Sequence, residues 1–388
     1  MVGRGGEACV LISHRVKYFE TWDEVGARVS EAREAEGLTQ VQLATQAGLD
    51  RTALAKIERG RRGLSSLELA RLADVLDRPV EWFIREAPPA VVSRRAERID
   101  SRGSNAVDVL LERIARGIEL LLEIEALPPR PGQQPRSLRS LAQAEELARD
   151  IHQQLGEGEG GLPNIQAAAE RFGLYAFSFE FPDGAADGAY IALEGTGVAV
   201  INGSMATGRR RFTLAHELGH HVLADAFSTD YALVDEITQT RERMINAFAI
   251  HLLMPRTRVS ELWRQHDGAD DPRSATIQIA TEFRVSWTAA CAHLKNLKFI
   301  DEETRQVLVA RPPRRAEYLE SGLVVVEELA PPSLPPKYVA AVVKAFRRHK
   351  ITRDRALELA YGILVDDDLP EPHEVPLDAL RAELQPAG

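Results

Sequence analysis

Hydrophobic positions along the chain follow a helical period in most places and a strand period in a few. Between residues 22 and 84 they recur at helical spacing, punctuated by Gly37, Gly48, Gly60 and Gly63, which predicts a bundle of short helices. In SNAVDVLLERIARGIELLLEIEAL (104–127), Val107, Leu111, Ile114, Ile118 and Leu121 repeat at spacings of four and three. The seam lasts about two heptads, short for a coiled coil. Two readings stand: packing inside the molecule, or a helix shared by two copies. LPPRPGQQP (127–135) holds four prolines and one glycine in nine residues and ends the helical pattern. Beyond it, 137–156 and 162–174 predict helices, and YAFSFEF (175–181) and AYIALEGTGVAVIN (189–202) predict strands around glycine turns. Past residue 300, SGLVVVEEL (321–329) predicts a strand, LAPPSLPPKY (329–338) an extended connector, and 338–350 and 352–365 two helices. The fold class is α+β and mostly helical, without alternating β-α-β units.

At 388 residues, 44% of them hydrophobic, the chain can build cores for two or three domains. No apolar run reaches the roughly 18 residues of a membrane span, and the opening MVGRGGEACVLISHRV has too short an apolar core for a secretory signal. The expected location is the cytoplasm, with no membrane partner. Cys9 and Cys291 are the only cysteines and lie far apart, which argues against a disulfide framework and a thiolate zinc site. Any metal must use histidine and carboxylate. The formal net charge of −10 excludes a nonspecific polyanion binder. Nucleic-acid binding would need a local patch, and Arg51, Lys56, Arg59, Arg61 and Arg62 supply one against Glu58 alone.

FTLAHELGHHV (212–222) places three histidines and a glutamate in an otherwise apolar helix. His216 and His220, four apart, sit about 40° apart around the axis and roughly 6 Å along it, so both imidazoles can reach one ion. Glu217 falls beside that ion, where it can take a proton from activated water; this is the zinc peptidase arrangement. A catalytic zinc usually has three protein ligands. ERMINAFAIHLLMP (242–255) offers Glu242 as the third and, four residues on, Asn246 to steady a histidine from behind, if the second helix returns antiparallel across the first. His221 reads as a surface or packing histidine, and His251 as a satisfied core histidine or a cleft residue. Neither of these nor Tyr231 is assigned to the oxyanion. GRRR (208–211) reads as a solvated turn, with attraction of acidic substrate as the second reading, and the strand ending VAVIN as an edge that could pair with an extended peptide.

The first helical stretch has another logic. Thr39 can cap a helix whose apolar face is Val41, Leu43, Ala44 and Ala47; Gly48 ends it, and Asp50 can cap the next. This is a helix-turn-helix, with Arg51, Thr52, Ala55 and Lys56 facing the bases and Gln40, Arg59, Arg61 and Arg62 gripping phosphates. The competing reading is a protein-interaction bundle with a basic rim. Affinity should be salt-sensitive and rely on a homodimer.

Residues 25–84, with LTQVQLA, GLDRTALAKIERGRR and LARLADVLDRPVEWF in order, resemble the XRE or Cro/C1-type helix-turn-helix of phage-repressor-like regulators. Residues 137–300, with RFTLAHELGHH, ERMINAFAIHLLMP and IATEFRVSWTAACAHLKNL, resemble the ImmA/IrrE zinc metallopeptidases. The resemblance implies a gluzincin-like site in which His216, His220 and Glu242 hold Zn2+, with Mn2+ as an alternative, and Glu217 is the base. It implies a peptidase that cleaves repressor-type proteins in stress, DNA-damage or mobile-element responses. The partners are then a DNA operator and a regulatory protein, or this chain itself, as substrate. The other class is a one-component regulator whose metal site is structural or sensory. Two departures stand out: a helix-turn-helix is fused in front, and Ile245 stands where the family usually has alanine. The helical 274–298 stretch resembles part of the peptidase unit rather than a second DNA reader. The expected organisation is a helix-turn-helix domain at 22–84, a helical connector and linker at 85–136, a peptidase domain with a small sheet at 137–300, and a C-terminal α/β extension at 301–388.

Overall fold

The computed structural model describes residues 18–76, 78, 80–85, 93–95, 101–128, 136–156, 160–224, 236–320 and 326–372. Within these the chain forms two compact units, dividing between Pro88 and Pro89.

The described residues of the first unit form five helices, α1 (Trp22–Ala35), α2 (Gln40–Gln46), α3 (Arg51–Glu58), α4 (Ser66–Val75) and α5 (Val80–Ile84). Thr21, Thr39 and Ser65 cap α1, α2 and α4 through reciprocal bonds with Glu24, Gln42 and Glu68, so these helices begin where side chains take over orphan backbone donors. Val29, Leu43, Leu54, Ile57, Leu72 and Phe83 close the core. Gly26 allows α1 to lie directly on α3, since a Cβ there would sit 2.2 Å from the Ile57 carbonyl oxygen. Two expectations shift. Val41 is 52% exposed rather than buried with Leu43, Ala44 and Ala47. Asp50 precedes α3 but makes no side-chain cap bond.

The second unit opens with β1 (Ser93–Arg95), α6 (Ser101–Glu123), α7 (Leu141–Leu155) and α8 (Ile165–Arg171), followed by β2 (Leu174–Phe179), β3 (Gly188–Leu193) and β4 (Thr196–Asn202). Helices α9 (Thr207–Val222), α10 (Glu236–Leu253), α11 (Arg256–Gln265), α12 (Pro272–Glu282) and α13 (Trp287–Asn296) come next. Then follow α14 (Glu302–Ala310), α15 (Arg315–Glu320), α16 (Pro336–Arg347) and α17 (Arg353–Leu359). The sheet order is β1-β3-β4-β2, with β2 and β4 parallel and the other pairs antiparallel.

Successive strand residues face opposite ways, and here both faces are covered. Tyr175, Phe177, Ile191, Val198 and Val200 meet Val107, Leu111, Ile114, Ile118 and Leu121 of α6, together with Tyr338 and Phe346 of α16 and Leu359 of α17. The α6 seam is thus used inside the molecule. Leu174, Ala176, Tyr190, Ala199 and Ile201 belong to the opposite core with α7 to α13. The helices α12 and α13 are part of that second core. Among the described residues of 321–329 no strand forms; Val326–Glu328 are irregular and serve another purpose, described below.

Candidate metal centre

Helix α9 is buried along its whole second half, from Thr213 to Val222. Helix α10 packs against it at Gly219, where a Cβ would lie 2.9 Å from Ile245 Cγ2 and 3.0 Å from Phe248 Cδ1. The glycine of HELGH therefore admits the larger Ile245, which is fully buried.

That contact brings three side chains to one point. His216 Nε2 and His220 Nε2 are 3.2 Å apart. Glu242 Oε2 lies 3.3 Å from the first and its Oε1 3.4 Å from the second. Among the described residues these three form the one group of histidine and acidic side chains close enough to share an ion. Nitrogen and oxygen ligands at about 2.0–2.1 Å from a tetrahedral zinc are separated by about 3.3–3.4 Å, so the spacing suits such an ion. His216 Nδ1 lies 3.1 Å from Asn246 Oδ1; donation there would leave the Nε2 lone pair for a bound ion, in place of the contact that Nε2 makes with Glu242 when no ion is bound. Burial would push the Glu242 carboxyl up, but its hydrogen bonds and charge interactions with His216 and His220 outweigh that and hold it well below the usual carboxylate range.

Glu217 is 0% exposed, and neither of its carboxylate oxygens has a hydrogen-bond partner among the described residues. A buried carboxylate without a donor costs several kcal/mol, on the order of the penalty for an unpaired ion. A cation and a water held at the adjacent His–His–Glu group would offset that cost.

His221 and His251 are occupied elsewhere. His221 is buried, not on the surface: its Nδ1 meets the Tyr190 hydroxyl at 2.9 Å and its Nε2 the Phe172 carbonyl at 3.0 Å. His251 lies 3.7 Å from the Glu145 carboxylate and edge-on to His293, away from the metal group. Tyr231 lies outside the described residues.

GRRR is not a solvated turn. It forms the start of α9, where Arg210 and Arg211 are 4% and 0% exposed. Long-range partners make this burial tolerable. Arg210 bonds Glu327 and the carbonyls of Gly203 and Leu329, and Arg211 bonds Glu328 and the Leu162 carbonyl. Glu328 also receives Arg284 and the Ile165 amide. Burial pulls the Arg211 guanidinium down, and Glu328 opposes it. These charges are spent internally, which removes the reading that they attract acidic substrate. Sequence inspection missed them because Glu327 and Glu328 lie 117 residues away from their arginines. The strand ending VAVIN is also corrected: β4 is central, between β3 and β2, and offers no edge.

In the first unit Arg51, Thr52 and Lys56 are exposed on α3 and Ala55 is half-buried, opposite the buried Leu54 and Ile57. Arg59 and Arg61 are exposed just beyond. Gln40 donates to Glu58 at 2.7 Å, and Glu58 is also held by Arg33 at 2.6 Å. Arg62 pairs with Glu68 at 2.7 Å.

Fold and site together define a helix-turn-helix unit followed by a unit with a metallopeptidase-type His–His–Glu group. Residues 169–295 match the family described as IrrE N-terminal-like domain, and residues 29–83 that described as Helix-turn-helix. The chain is a fusion of an XRE-type helix-turn-helix with an ImmA/IrrE-type peptidase-family domain. No curated protein matches the sequence. Among solved structures, the restriction-modification controller protein C.AhdI from Aeromonas hydrophila is 37% identical over 16% of this chain and 94% of its own, with a TM-score of 0.16. Bacillus thuringiensis PlcR, in complex with the peptide PapR7 and DNA, is 10% identical over 88% of this chain and 92% of its own, with a TM-score of 0.17. The competence regulator ComR from Streptococcus vestibularis is 13% identical over 93% and 97%, with a TM-score of 0.16. At such TM-scores none of the three bears on the fold.

Proposed function

We propose that this protein is a DNA-binding transcriptional regulator whose second unit is a metal-dependent endopeptidase acting on a regulatory, repressor-type protein. The observation that carries the reading is the buried Glu217 carboxylate, without a hydrogen-bond donor among the described residues, beside His216, His220 and Glu242. A merely structural metal site has no use for that group.

His216, His220 and Glu242 would hold the ion, zinc or manganese, which supplies Lewis-acid activation of water and of the scissile carbonyl. Glu217 accepts the proton of the attacking water and returns it to the departing amine. Asn246 fixes the His216 ring, and the burial of α9 excludes competing solvent. In the first unit, Arg51, Thr52, Ala55 and Lys56 would read base edges from α3, while Gln40, Arg59, Arg61 and Arg62 contact phosphates. Such binding places the peptidase at its operator, with two copies on paired half-sites.

The test is to incubate the zinc- or manganese-loaded chain with repressors encoded beside it and to compare the wild type with Glu217→Gln. Cleavage by the wild type alone supports the proposal. Equal cutting by both proteins, or none of any candidate, overturns the enzymatic reading in favour of a sensory metal site. DNA binding is scored separately by retention on promoter fragments against salt; Arg51→Ala with Lys56→Ala should erase sequence preference.

A further inference from the structure

With β4 central, the sheet edge nearest the metal helix is the outer side of β3, and it is taken. β1 pairs with it antiparallel, Ser93 opposite Tyr190, Arg94 opposite Ala189 and Arg95 opposite Gly188. β1 also lies against α9. At Gly188 the sheet meets α9 so closely that a Cβ would stand 2.5 Å from Thr213 Cγ2. Thr213 is fully buried, its hydroxyl lacks a hydrogen-bond partner among the described residues, and it precedes Glu217 by one helical turn on the same face. An extended chain on this edge therefore reaches α9 at the position of Arg95, one turn from Glu217.

Backbone groups along an open strand edge form a ready template for another extended chain, and peptides are commonly held by adding a strand there. We infer that the outer edge of β3 is the peptide-binding edge of the metal site, and that residues 93–95 of the same chain hold it at rest. An incoming substrate must displace them. The occupant is the stretch that follows the helix-turn-helix unit in sequence, so events acting on that stretch would free or close the edge. This inference rests on the peptidase reading above, but its test does not depend on hydrolysis.

The test uses the full-length, zinc-loaded chain carrying Glu217→Gln, so that no probe is consumed. The probe is a fluorescein-labelled synthetic peptide with the sequence of residues 89–100, PAVVSRRAERID, followed by anisotropy. Two variants are made in that background. One is Arg94→Pro, which removes a backbone donor and fixes φ in the middle of this three-residue strand. The other is the triple Ser93→Gly, Arg94→Gly, Arg95→Gly, which weakens the strand without introducing a ring. Hydrogen exchange over Gly188–Leu193 reports whether β3 has lost its neighbour. The expected result is exchange at least tenfold faster on β3 in both variants, with the probe bound at least tenfold more tightly than by the parent. Unchanged exchange in both variants overturns the inference, because β1 then shields nothing. Faster exchange without tighter probe binding overturns it equally, because the freed edge then accepts no peptide.

Discussion

The two halves of α9 bury charge in opposite ways. In the first half, Arg210 and Arg211 are sunk into the protein, and the protein itself supplies their counter-charges through Glu327 and Glu328. In the second half, Glu217 is buried as deeply, yet its carboxylate has no donor among the described residues, and His216, His220 and Glu242 turn their ligand atoms to a common point. One helix thus shows what a closed electrostatic arrangement looks like and, two turns later, one whose balance would need an external ion, as the proposed function requires. The contrast argues for function more strongly than the motif does, since a structural helix would resemble its own first half throughout.

The largest expected effect breaks the first half. Glu328→Ala leaves Arg211 buried beside Arg284 without its carboxylate, and urea unfolding should show a loss of about 3–5 kcal/mol, the scale for an orphaned buried charge. Replacing both partners, Arg211→Met with Glu328→Leu, should recover most of that loss. A double variant as unstable as the single one would show that the pair does more than neutralise itself. The second effect sharpens the other half. Asn246→Ala removes the bond that sets the His216 tautomer, and zinc affinity should fall about 10- to 100-fold with little change in the unfolding midpoint of the metal-free protein. A midpoint shift without an affinity change would make Asn246 a packing residue.

His293 shows a third way to bury a titratable group, which is to keep it neutral. Burial, with His251 beside it, pushes the imidazole down to about 3. The unfolded chain binds the proton near the ordinary value of about 6.5, so the stability this group contributes is present above that pH and is lost as pH falls from 6.5 toward 3. Between pH 7.5 and 5.5 unfolding free energy should drop by about 1 kcal/mol on its account, and His293→Gln should flatten that slope. The smallest effect lies in the first unit. Thr39→Ala loses a cap bond and should cost about 1 kcal/mol, whereas Asp50→Ala, which loses none, should change thermal unfolding by no more than a few tenths.

Local spacing made much of this legible. The four-residue steps His216 to His220 and Glu242 to Asn246 follow from helix geometry, and the Thr39 cap and Gly48 break follow from backbone chemistry. The α6 seam was legible as a face but not as to its partner, because α16 lies more than 200 residues on in the sequence. GRRR misled for the same reason: arginines are rarely buried, and the carboxylates that permit it come from a distant segment whose valines suggest a strand. Val41 misled because its position in a short helix fits the apolar period while the bundle leaves that side open. The sheet order, and with it the true edge, depends on three residues at 93–95 that no periodicity marks.

The most direct measurement is zinc titration of the metal-free chain by calorimetry, with X-ray absorption of the loaded protein. One zinc per chain with two imidazole nitrogens and carboxylate oxygen in its first shell, bound far more weakly by Glu242→Ala, is the predicted result. Zinc bound as tightly by Glu242→Ala as by the wild type, or with a shell lacking the two imidazoles, would contradict it.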